Sequence, residues 1–500
     1  MASAVISKPV PQPVSPPSDE LRLVDLSWRG HLVRVLLFSL PFLALALVTY
    51  RYGFLTNAHA HVTAKALLAA DRLRLEVIGF LYPPLPFLLV LAFPRPWIPS
   101  VLASLAAGAT AWLVWYDLGR VGLAHLWRML LLAVLVVIPS NIFLATQAYP
   151  DMLTLHLIVV AWHYYINFVR YGHTFSGFVA GLILGLAFYA NFYALVYALV
   201  LASLLPLFRR SEANAGQGGA WATGSQMLVT AFPALWAVAS WTYINWVFTG
   251  NPTMYLTDPA AAVIDPERWG VPLAERWEWL AGFGRELVTQ PLLLGVFAAN
   301  LWRAPRRLVP LVVLALVPSL LRFLGFAYPL PLVLATYAVL ALIALPERLP
   351  RWVGPIIVVL ALGQGATSAM LLQHAGEVQQ WQQVLVTGIP RASDQEEREL
   401  GQRLRAAPRY AILADDRSAY RIIARAETAR PFLLPADASF GAALAEPARF
   451  VGYILVTREP LGRDLVSERF ADDPPDGFVV DGQYGPWKLY RRIDQPSLLH

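Results

Sequence analysis

Long apolar runs separated by short polar breaks dominate the first three quarters of the chain. Between residues 32 and 373 they recur about eleven times, most of them close to the ~20 apolar residues that a helix needs to cross a bilayer. The pattern predicts a polytopic α-helical membrane protein with about eleven transmembrane helices. The predicted spans are 32–50, 97–116, 126–146, 152–171, 175–190, 192–208, 228–249, 287–302, 308–324, 327–345 and 353–373.

One further apolar run, FLYPPLPFLLVLAFP at 80–94, is short and interrupted by prolines. Such a segment suits a re-entrant or interfacial helix better than a full span. Just before it, residues 62–77 carry apolar side chains at helical spacing. This spacing predicts a helix that lies along the membrane surface and turns its charged side chains toward water or a cleft.

The chain becomes polar near residue 374. A charged helix is predicted over 391–407, followed by short runs that alternate between strand and helix. This order predicts a small extracytoplasmic α/β domain over 374–500 with a partly parallel sheet. At the other terminus, residues 1–31 are rich in Pro and Ser and lack an apolar core, so we expect a disordered cytoplasmic tail and no cleaved signal peptide.

Composition supports the membrane assignment. Of the 500 residues, 57% are hydrophobic and 14% are charged, and the mean hydropathy is +0.51. Cysteine is absent, which excludes disulfides and thiolate sites. The net charge of +6 fits the gathering of Lys and Arg in cytoplasmic loops, and no basic-aromatic array suggests a nucleic-acid partner.

Arginine positions predict the orientation of the transmembrane domain, 32–373. If the N-terminus is cytoplasmic, the arginine clusters after alternate spans lie inside, which the positive-inside rule favours. Counting 80–94 as a full span would put the later clusters outside, so the charges favour the re-entrant interpretation. The short outside loops without Lys or Arg are 147–151, 191 and 325–327, and the long external segments are 51–96, 250–286 and the region after 374.

Asp151 is a candidate catalytic carboxylate at the outer mouth of a span, within ATQAYPDMLTLHL. Taken alone, an Asp that follows Pro at a helix start is most simply an N-cap. The predicted topology, however, puts Asp151 on the same face as residues 57–87. This placement favours a catalytic role for Asp151 over that of a simple N-cap.

The loop after the first span holds most of the other candidates. His59 and His61 form an H-x-H pattern, and in an extended segment both rings would point the same way and could hold a divalent metal with Asp151. Two histidines without a clear third ligand predict no metal site by themselves, so no cofactor is assigned and a divalent metal stays open. Asp71 and Glu76 are five residues apart and do not share a helix face, so a solvated surface explains them better than a carboxylate pair does.

Several polar residues complete the candidate set. Arg322, near the outer end of its helix, could bind a phosphate or could snorkel to the interface. Asp415 and Asp416 end a predicted strand, where ligands often bind, although a surface turn explains them better. The catalytic candidates are Asp151, His59, His61, Asp71 and Glu76, and the substrate-binding candidates are Asn57, Lys65, Arg72, Arg74, Tyr82, Asn191 and Arg322. No P-loop, HExxH or GxSxG occurs, which counts against an ATP-driven pump or a zinc protease.

The order of features along residues 30–350 resembles the GT-C superfamily of membrane glycosyltransferases, which includes protein O-mannosyltransferases and lipid A aminoarabinose transferases. The first span is followed by an external loop with a surface helix and a Pro-Pro-Leu segment. Each motif is loose, and their order is the stronger signal. The matching segments are YPPLPFLL (82–89), RPWIPSVLASLAAGATAWLVWYDLGR (95–120), IPSNIFLATQAYPDMLTLHLIVVAW (138–162), SGFVAGLILGLAFYANFYAL (176–195) and WTYINWVFTGNPTMYL (241–256).

The resemblance implies transfer of a sugar from a polyprenyl-phosphate donor to a protein, glycan or lipid acceptor at the external membrane face. A carboxylate, here Asp151, would activate the acceptor hydroxyl, and cations would hold the departing phosphate. The family usually carries an acidic residue or pair just after the first span. This chain has TNAHAHV there, and Asn191 replaces a lysine often found in the family.

The sequence therefore predicts a glycosyltransferase of the bacterial inner membrane. The missing acidic pair favours one alternative, a catalytically inactive GT-C-like scaffold subunit of a membrane complex. A transporter of lipid-linked sugars is less favoured, because two-half symmetry and paired broken helices are not apparent.

Overall fold

The computed structural model describes residues 28–211, 220–258, 261, 263–347, 349–350, 352–460 and 463–498. Most of the predicted disordered tail, residues 1–27, lies outside this set. Its last four residues are already helical, because the first helix begins at Trp28.

Helices make up the whole described chain as far as residue 372, apart from short turns. Those that precede the loop around residue 250 are α1 (Trp28–Arg51), α2 (Asn57–Arg72), α3 (Pro84–Leu91), α4 (Ile98–Arg120), α5 (His125–Val137), α6 (Pro139–Gln147), α7 (Tyr149–Tyr171), α8 (Thr174–Ala190), α9 (Ala194–Ser211) and α10 (Ala220–Thr249). Those that follow are α11 (Met254–Thr257), α12 (Pro266–Trp269), α13 (Leu273–Val288), α14 (Pro291–Arg303), α15 (Pro305–Phe323), α16 (Leu330–Ile343) and α17 (Val353–Leu372).

Five described helices are long and apolar enough to cross a membrane: α1, α4, α7, α17 and residues Thr223–Thr249 of α10. The predicted fold class, a polytopic α-helical membrane protein, is therefore confirmed. Three further apolar helices, α8, α9 and α16, contain apolar stretches of only 10–17 residues. The count of eleven full spans accordingly stays a prediction.

The span predicted over 126–146 is not one continuous helix, and whether it crosses the membrane stays a prediction. The structure has α5 and α6 there, bent by 65° at their junction, and together they could form a sixth, broken span. Pro139 explains the break, because proline lacks an N–H and disfavours helical backbone at the preceding residue. Ile138 accordingly has an extended ψ of 125°.

Most of the segments predicted to lie outside meet at one end of the helix bundle, which we call the upper end. Side chains and backbone from loops distant in sequence contact one another there. These contacts require that the loops lie on the same side of the bundle. The contacts are Thr56 Oγ1 to the Gln147 carbonyl (2.7 Å), the Tyr193 and Tyr328 rings (4.8 Å between centroids), and a β-bridge between Ile264 and Phe326.

Polar contacts also join α4 and α7 along their length toward the opposite, lower end. Thr110 Oγ1 lies 3.0 Å from His156 Nδ1, and two turns further Asp117 Oδ1 lies 2.9 Å from His163 Nδ1. The histidines seven residues apart on α7 thus share a face and bond to the neighbouring helix. Arg170, at the end of α7, forms an ion pair with Glu347.

The C-terminal region contains a five-stranded mixed sheet in the order β2-β1-β3-β5-β4. β1 runs parallel to β2 and β3, whereas β5 runs antiparallel to β3 and β4. Its elements are α18 (Gly376–Thr387), α19 (Ala392–Leu404), β1 (Ile412–Leu413), α20 (Asp416–Ala426), β2 (Phe432–Leu433), α21 (Phe440–Ala445), α22 (Pro447–Phe450), β3 (Tyr453–Thr457), α23 (Leu465–Phe470), β4 (Phe478–Tyr484) and β5 (Trp487–Arg492).

The C-terminal region packs directly on the upper end of the bundle. Helix α20 lies against α2, and buried side chains of α20 such as Ile422 and Ile423 belong to the same apolar core as those of α2 and α4. Arg425 donates a hydrogen bond to the Gly53 carbonyl (2.5 Å), and Arg421 donates one to the Leu55 carbonyl (2.8 Å). The C-terminal region therefore covers the loop that follows the first span.

Candidate functional site

The helix α2 starts earlier than the sequence pattern predicts and includes both histidines of the H-x-H pattern. Thr56 caps it, because its Oγ1 accepts a hydrogen bond from the His59 N–H (3.4 Å). The helix ends at Arg72, since Leu73 takes a left-handed conformation (φ 55°). The extended segment considered for His59 and His61 is therefore wrong.

Two residues apart on a helix, the histidines point in directions about 200° apart and cannot ligate one ion together. In the described part of the chain, no group of three or more His, Cys, Asp or Glu side chains could hold a metal ion. His59, His61 and Asp151 therefore do not surround a common metal position.

His59 is buried and connects three helices. Its Nε2 accepts a hydrogen bond from the Tyr149 N–H (3.1 Å), and its Nδ1 lies 3.2 Å from Ser100 Oγ. Burial lowers the pKa of His59 to about 3, so the ring is neutral and its Nδ1 is the atom left to donate to Ser100. His59 therefore satisfies the first free N–H of α7, two residues before Asp151, and both its nitrogens are engaged.

His61 faces the other way, into a group of aromatic rings. Its ring centroid lies 4.6 Å from that of Tyr82, 5.7 Å from Phe87 and 5.7 Å from Tyr420. Burial lowers the pKa of His61 to about 3, helped by the nearby Lys65 ammonium and opposed by the Asp416 carboxylate. A neutral imidazole has one nitrogen that donates a hydrogen bond and one that accepts.

Lys65 follows His61 by one helical turn and shares its face. Its Nζ lies 2.6 Å from Asp416 Oδ2 and 5.6 Å from the centre of the Tyr82 ring. Both charged side chains of the pair are almost enclosed, with 14% and 11% of their surface exposed. His61, Lys65, Tyr82, Asp416 and Tyr420 together form what we call the junction cluster, because it joins α2, the proline-rich segment and α20.

The remaining charged candidates on α2 hold the C-terminal region in place. Asp71 Oδ2 accepts hydrogen bonds from the Ala429 N–H (2.6 Å) and from Thr428 Oγ1 (3.0 Å). Arg72 makes a two-pronged ion pair with Asp437 (2.7 and 2.9 Å). Their partners belong to the C-terminal region, so these two residues are not brought together with Asp151.

Asn57 and the Arg74–Glu76 pair also lie apart from Asp151. The Asn57 N–H donates to Glu377 Oε1 (2.6 Å), and its Oδ1 accepts from Arg421 (3.0 Å). Arg74 and Glu76 pair with each other at 2.7 Å on the surface, with half of each side chain exposed. Asn57 thus secures the start of α2, and the surface pair is solvated.

Asp151 lies in the first turn of α7 as its third residue, so the expectation of a simple N-cap is wrong. Its Oδ1 is within 3.4 Å of the hydroxyl of Tyr193, a residue only 1% exposed. Tyr193 packs on Tyr328, whose hydroxyl lies 2.8 Å from that of Tyr197. The carboxylate is thus half-buried beside a chain of phenols, where an unpaired charge is poorly solvated.

Asn191 and Arg322, both predicted to bind substrate, each have a contact within the protein. Asn191 ends α8 through its backbone N–H, which donates to the Ala187 carbonyl (2.8 Å). Arg322 is buried, forms an ion pair with Glu286 on α13, and stacks over Phe283. Its charge is therefore already balanced by a carboxylate. Its Nε has no hydrogen-bond partner among the described residues.

An aromatic wall connects the proline-rich segment to the turn that follows α8. Phe80 packs against Phe248 (4.9 Å) and Trp241 (6.4 Å), and Phe192 packs against Trp241 (6.0 Å) and Tyr255 (4.9 Å). Phe192 precedes Tyr193, the partner of Asp151. Phe192, Trp241 and Tyr255 are buried against one another, whereas Phe248 is exposed.

Sequence reasoning missed the partners that define these groups. Tyr193 and Tyr328 lie in apolar runs and carry no pattern that singles them out. Asp416 was visible in the ADD stretch but is not in the surface turn that we favoured, because Asp415 caps α20 and Asp416 faces Lys65. A carboxylate three residues after the end of β1 was the available signal.

No family model matches this chain. No curated protein matches it either. Among solved structures, the crystal structure of ArnT from Cupriavidus metallidurans bound to undecaprenyl phosphate is similar, with a TM-score of 0.56 over 95% of this chain and 100% of that chain, at 12% identity. The likeness shows the fold, and the predicted resemblance to the GT-C superfamily of membrane glycosyltransferases is confirmed at that level.

Proposed function

We propose that this protein transfers a sugar from a polyprenyl-phosphate carrier to an acceptor hydroxyl at the external face of a bacterial inner membrane. The observation that carries the proposal is the half-buried Asp151 carboxylate at the upper end of a GT-C fold, beside the phenol of Tyr193. The similar ArnT structure holds undecaprenyl phosphate, which supports a lipid carrier of the same class here.

The chemistry would be a direct displacement. The acceptor oxygen forms a bond to the anomeric carbon, the bond between that carbon and the phosphate oxygen breaks, and polyprenyl phosphate leaves with the electron pair. Asp151 would take the proton of the acceptor hydroxyl, and Tyr193 would orient the carboxylate. Low solvent access near Asp151 keeps water from competing with the acceptor.

The leaving phosphate needs cationic partners. Lys65 in the junction cluster and Arg322 beside Glu286 are two buried cations at the upper end, and each keeps a carboxylate partner. A partly neutralised cation can still donate hydrogen bonds to phosphate oxygens. The aromatic wall would then pack against the sugar or the first isoprene units.

A catalytically inactive scaffold is the second candidate function, and one observation favours it. The loop after α1 offers no carboxylate of its own to a substrate, because Asp71 is committed to the C-terminal region and Glu76 pairs with Arg74 on the surface. A scaffold would keep the fold and the docking contacts and lose transfer.

Purified protein in liposomes, supplied with radiolabelled polyprenyl-phosphate sugars and a membrane extract as acceptor source, tests the proposal. We expect transfer by the wild type and a loss of about 10²-fold or more in Asp151→Asn, the range expected when a general base is removed. Asp117→Asn is the matched control, because Asp117 is a partly buried carboxylate on α4 near the lower end. Equal activity of Asp151→Asn and wild type would remove Asp151 from the mechanism, and absence of transfer by folded wild type with every donor would favour the scaffold.

A further inference from the structure

Leu73 follows the last residue of α2 and has its side chain almost fully in the open. It is 91% exposed, and its backbone takes a left-handed conformation (φ 55°) that residues with a Cβ rarely adopt. Leu75, two residues later, is exposed as well. A single exposed leucine is ordinary on a protein surface, so the meaning of this one depends on its surroundings.

The backbone around Leu73 is strained at three places that are distant in sequence. Among the residues that the structure describes, the non-glycine residues with a positive φ are Leu73, Tyr410 (58°) and Glu427 (57°). Arg72 stacks over the Tyr410 ring (4.5 Å), and Asp71 accepts hydrogen bonds from the two residues that follow Glu427 (3.0 and 2.6 Å). All three therefore meet at the end of α2, and strain concentrated in this way is typical of functional surfaces.

Exposed arginines surround this place. Arg95 and Arg405 both contact the Glu427 carboxylate, at 2.6 and 3.5 Å, and Arg430 contacts Asp71 at 3.3 Å. A fourth arginine stacks over the left-handed tyrosine named above, at 4.9 Å from its ring centre. Together they form what we call the arginine rim: Arg95, Arg405, Arg409 and Arg430.

The arginine rim carries excess positive charge. Its four guanidinium groups face two carboxylates, those of Glu427 and Asp71. About half or more of the side chain is exposed in Arg95, Arg405 and Arg430. A guanidinium has five N–H donors, so one contact with a carboxylate oxygen leaves donors that can bind phosphate oxygens.

The arginine rim lies at the level where a transmembrane helix begins. Helix α4, one of the five described helices able to cross a membrane, starts directly after Trp97. Trp97 and Phe93 are exposed, as is typical of aromatic side chains at a bilayer surface. Arg95 lies between them, and its contact with Glu427 brings the end of α20 to the same level. Leu73 is therefore close to the surface of the leaflet at the upper end.

We propose that the arginine rim and Leu73 form a membrane-contact surface, on which the guanidinium groups bind anionic phospholipid head groups and the leucine inserts among the uppermost acyl carbons. The partner is the leaflet at the upper end, because the surface is net positive, carries apolar side chains and continues from the aromatic residues before α4. This contact holds the C-terminal region against the bilayer. The inference does not depend on the proposed glycosyl transfer.

The absence of cysteine from the chain permits a site-specific test of the leucine. Full-length Leu73→Cys, labelled with a fluorophore, is reconstituted into vesicles of phosphatidylcholine and phosphatidylglycerol that include a lipid with a nitroxide near the top of its acyl chain. Glu459→Cys is the control, because Glu459 is exposed and follows β3, at the end of the sheet opposite Tyr410. We expect quenching to be at least about threefold stronger at position 73 than at position 459.

Substitution of the arginines tests the head-group contact in the same labelled protein. One triple variant combines Arg405→Gln, Arg409→Gln and Arg430→Gln. Its control removes the same charge from exposed arginines between β3 and β4, by Arg458→Gln, Arg463→Gln and Arg469→Gln. The first triple variant should reduce quenching at position 73 at least about twofold, as should vesicles of phosphatidylcholine alone or high salt. The control should leave it unchanged.

Three outcomes would overturn the proposal. Equal quenching at positions 73 and 459 would remove the membrane contact. Equal quenching at position 73 with and without phosphatidylglycerol would remove the head-group binding, and this comparison holds even if the triple variant folds poorly. Excimer emission between pyrene labels at position 73 of two molecules would assign the surface to a second copy of the chain instead.

Discussion

The two histidines of NAHAHV lie two residues apart and have different surroundings in the structure. His59 points into the helix bundle, where it bonds to the start of α7 and to Ser100 on α4. His61 points toward the C-terminal domain and contacts rings from three segments. About half a turn of α2 thus separates a residue that holds the helix bundle together from one that borders the candidate site.

The two histidines show that α2 has two faces with separate tasks. Through His59, α2 fixes the N-terminal turn of α7 that carries Asp151. Through the opposite face, the same helix presents His61 and Lys65 to α20. A short helix with two engaged faces therefore links the helix start that carries Asp151 to the C-terminal region, and substitutions on the two faces should have separable effects.

The largest expected effect comes from the buried face. His59→Ala leaves the Tyr149 N–H unpaired and creates a small cavity, which should lower the free energy of unfolding by about 2–4 kcal/mol. Thermal unfolding of the detergent-solubilised protein measures the loss. His59→Gln is the matched variant, because its amide oxygen can accept the same hydrogen bond, and it should recover part of the stability. Wild-type stability in His59→Ala would contradict the role of this residue.

The buried position of His59 also predicts how the stability of the protein depends on pH. The pKa of His59 is about 3 in the folded protein and near its ordinary 6.5 when unfolded. Between these values the unfolded chain binds more protons, so stability is full above pH 6.5 and falls as the pH decreases, by about 1.4 kcal/mol per pH unit for this one residue. Melting temperatures at pH 5, 6 and 7 check this, and the slope should be shallower in His59→Gln. An identical slope in wild type and variant would show that other groups dominate.

On the opposite face, the expected effect falls on activity. His61→Phe keeps the packing against Tyr82 and Tyr420, so the free energy of unfolding should change by less than about 1.5 kcal/mol. Phenylalanine removes both ring nitrogens beside Lys65, and we expect transfer to fall about tenfold. The assay compares kcat/KM and melting temperature of the same preparation. A variant as active as wild type would limit His61 to packing.

The smallest effect on stability and activity is expected at Arg74, which the sequence analysis proposed as a substrate-binding residue. It pairs with Glu76 on the surface, with about half of its side chain exposed. Arg74→Ala should change stability by less than about 0.5 kcal/mol and leave transfer unchanged. A marked loss of transfer would place this surface in the substrate path after all.

Much of the architecture could be predicted because hydrophobic periodicity reports it directly. Each predicted span overlaps one or two of the helices between α1 and α17. The change to polar sequence near residue 374 precedes the mixed sheet. The break at Pro139 was missed, since an apolar run looks continuous on either side of a proline. The start of α2 was missed as well, because its first turn is polar and depends on the Thr56 cap.

The candidate site was less predictable, because its contacts join residues far apart in the chain. Asp151 could be singled out from its position at a helix mouth, yet its partner Tyr193 is one tyrosine among many in apolar sequence. Lys65 and Asp416 are separated by 351 positions and meet only through the docking of α20 on α2. Charge patterns within one loop cannot report such a pair.

The most direct test of the account follows the lipid product. Folded wild-type protein is incubated with polyprenyl-phosphate sugars and membrane extract, and release of free polyprenyl phosphate is measured together with labelled acceptor. The account predicts equal amounts of the two products, both greatly reduced in Asp151→Asn and unchanged in Asp117→Asn. Intact donor after incubation with folded wild type, across the whole donor series, would contradict the claim that this fold performs glycosyl transfer.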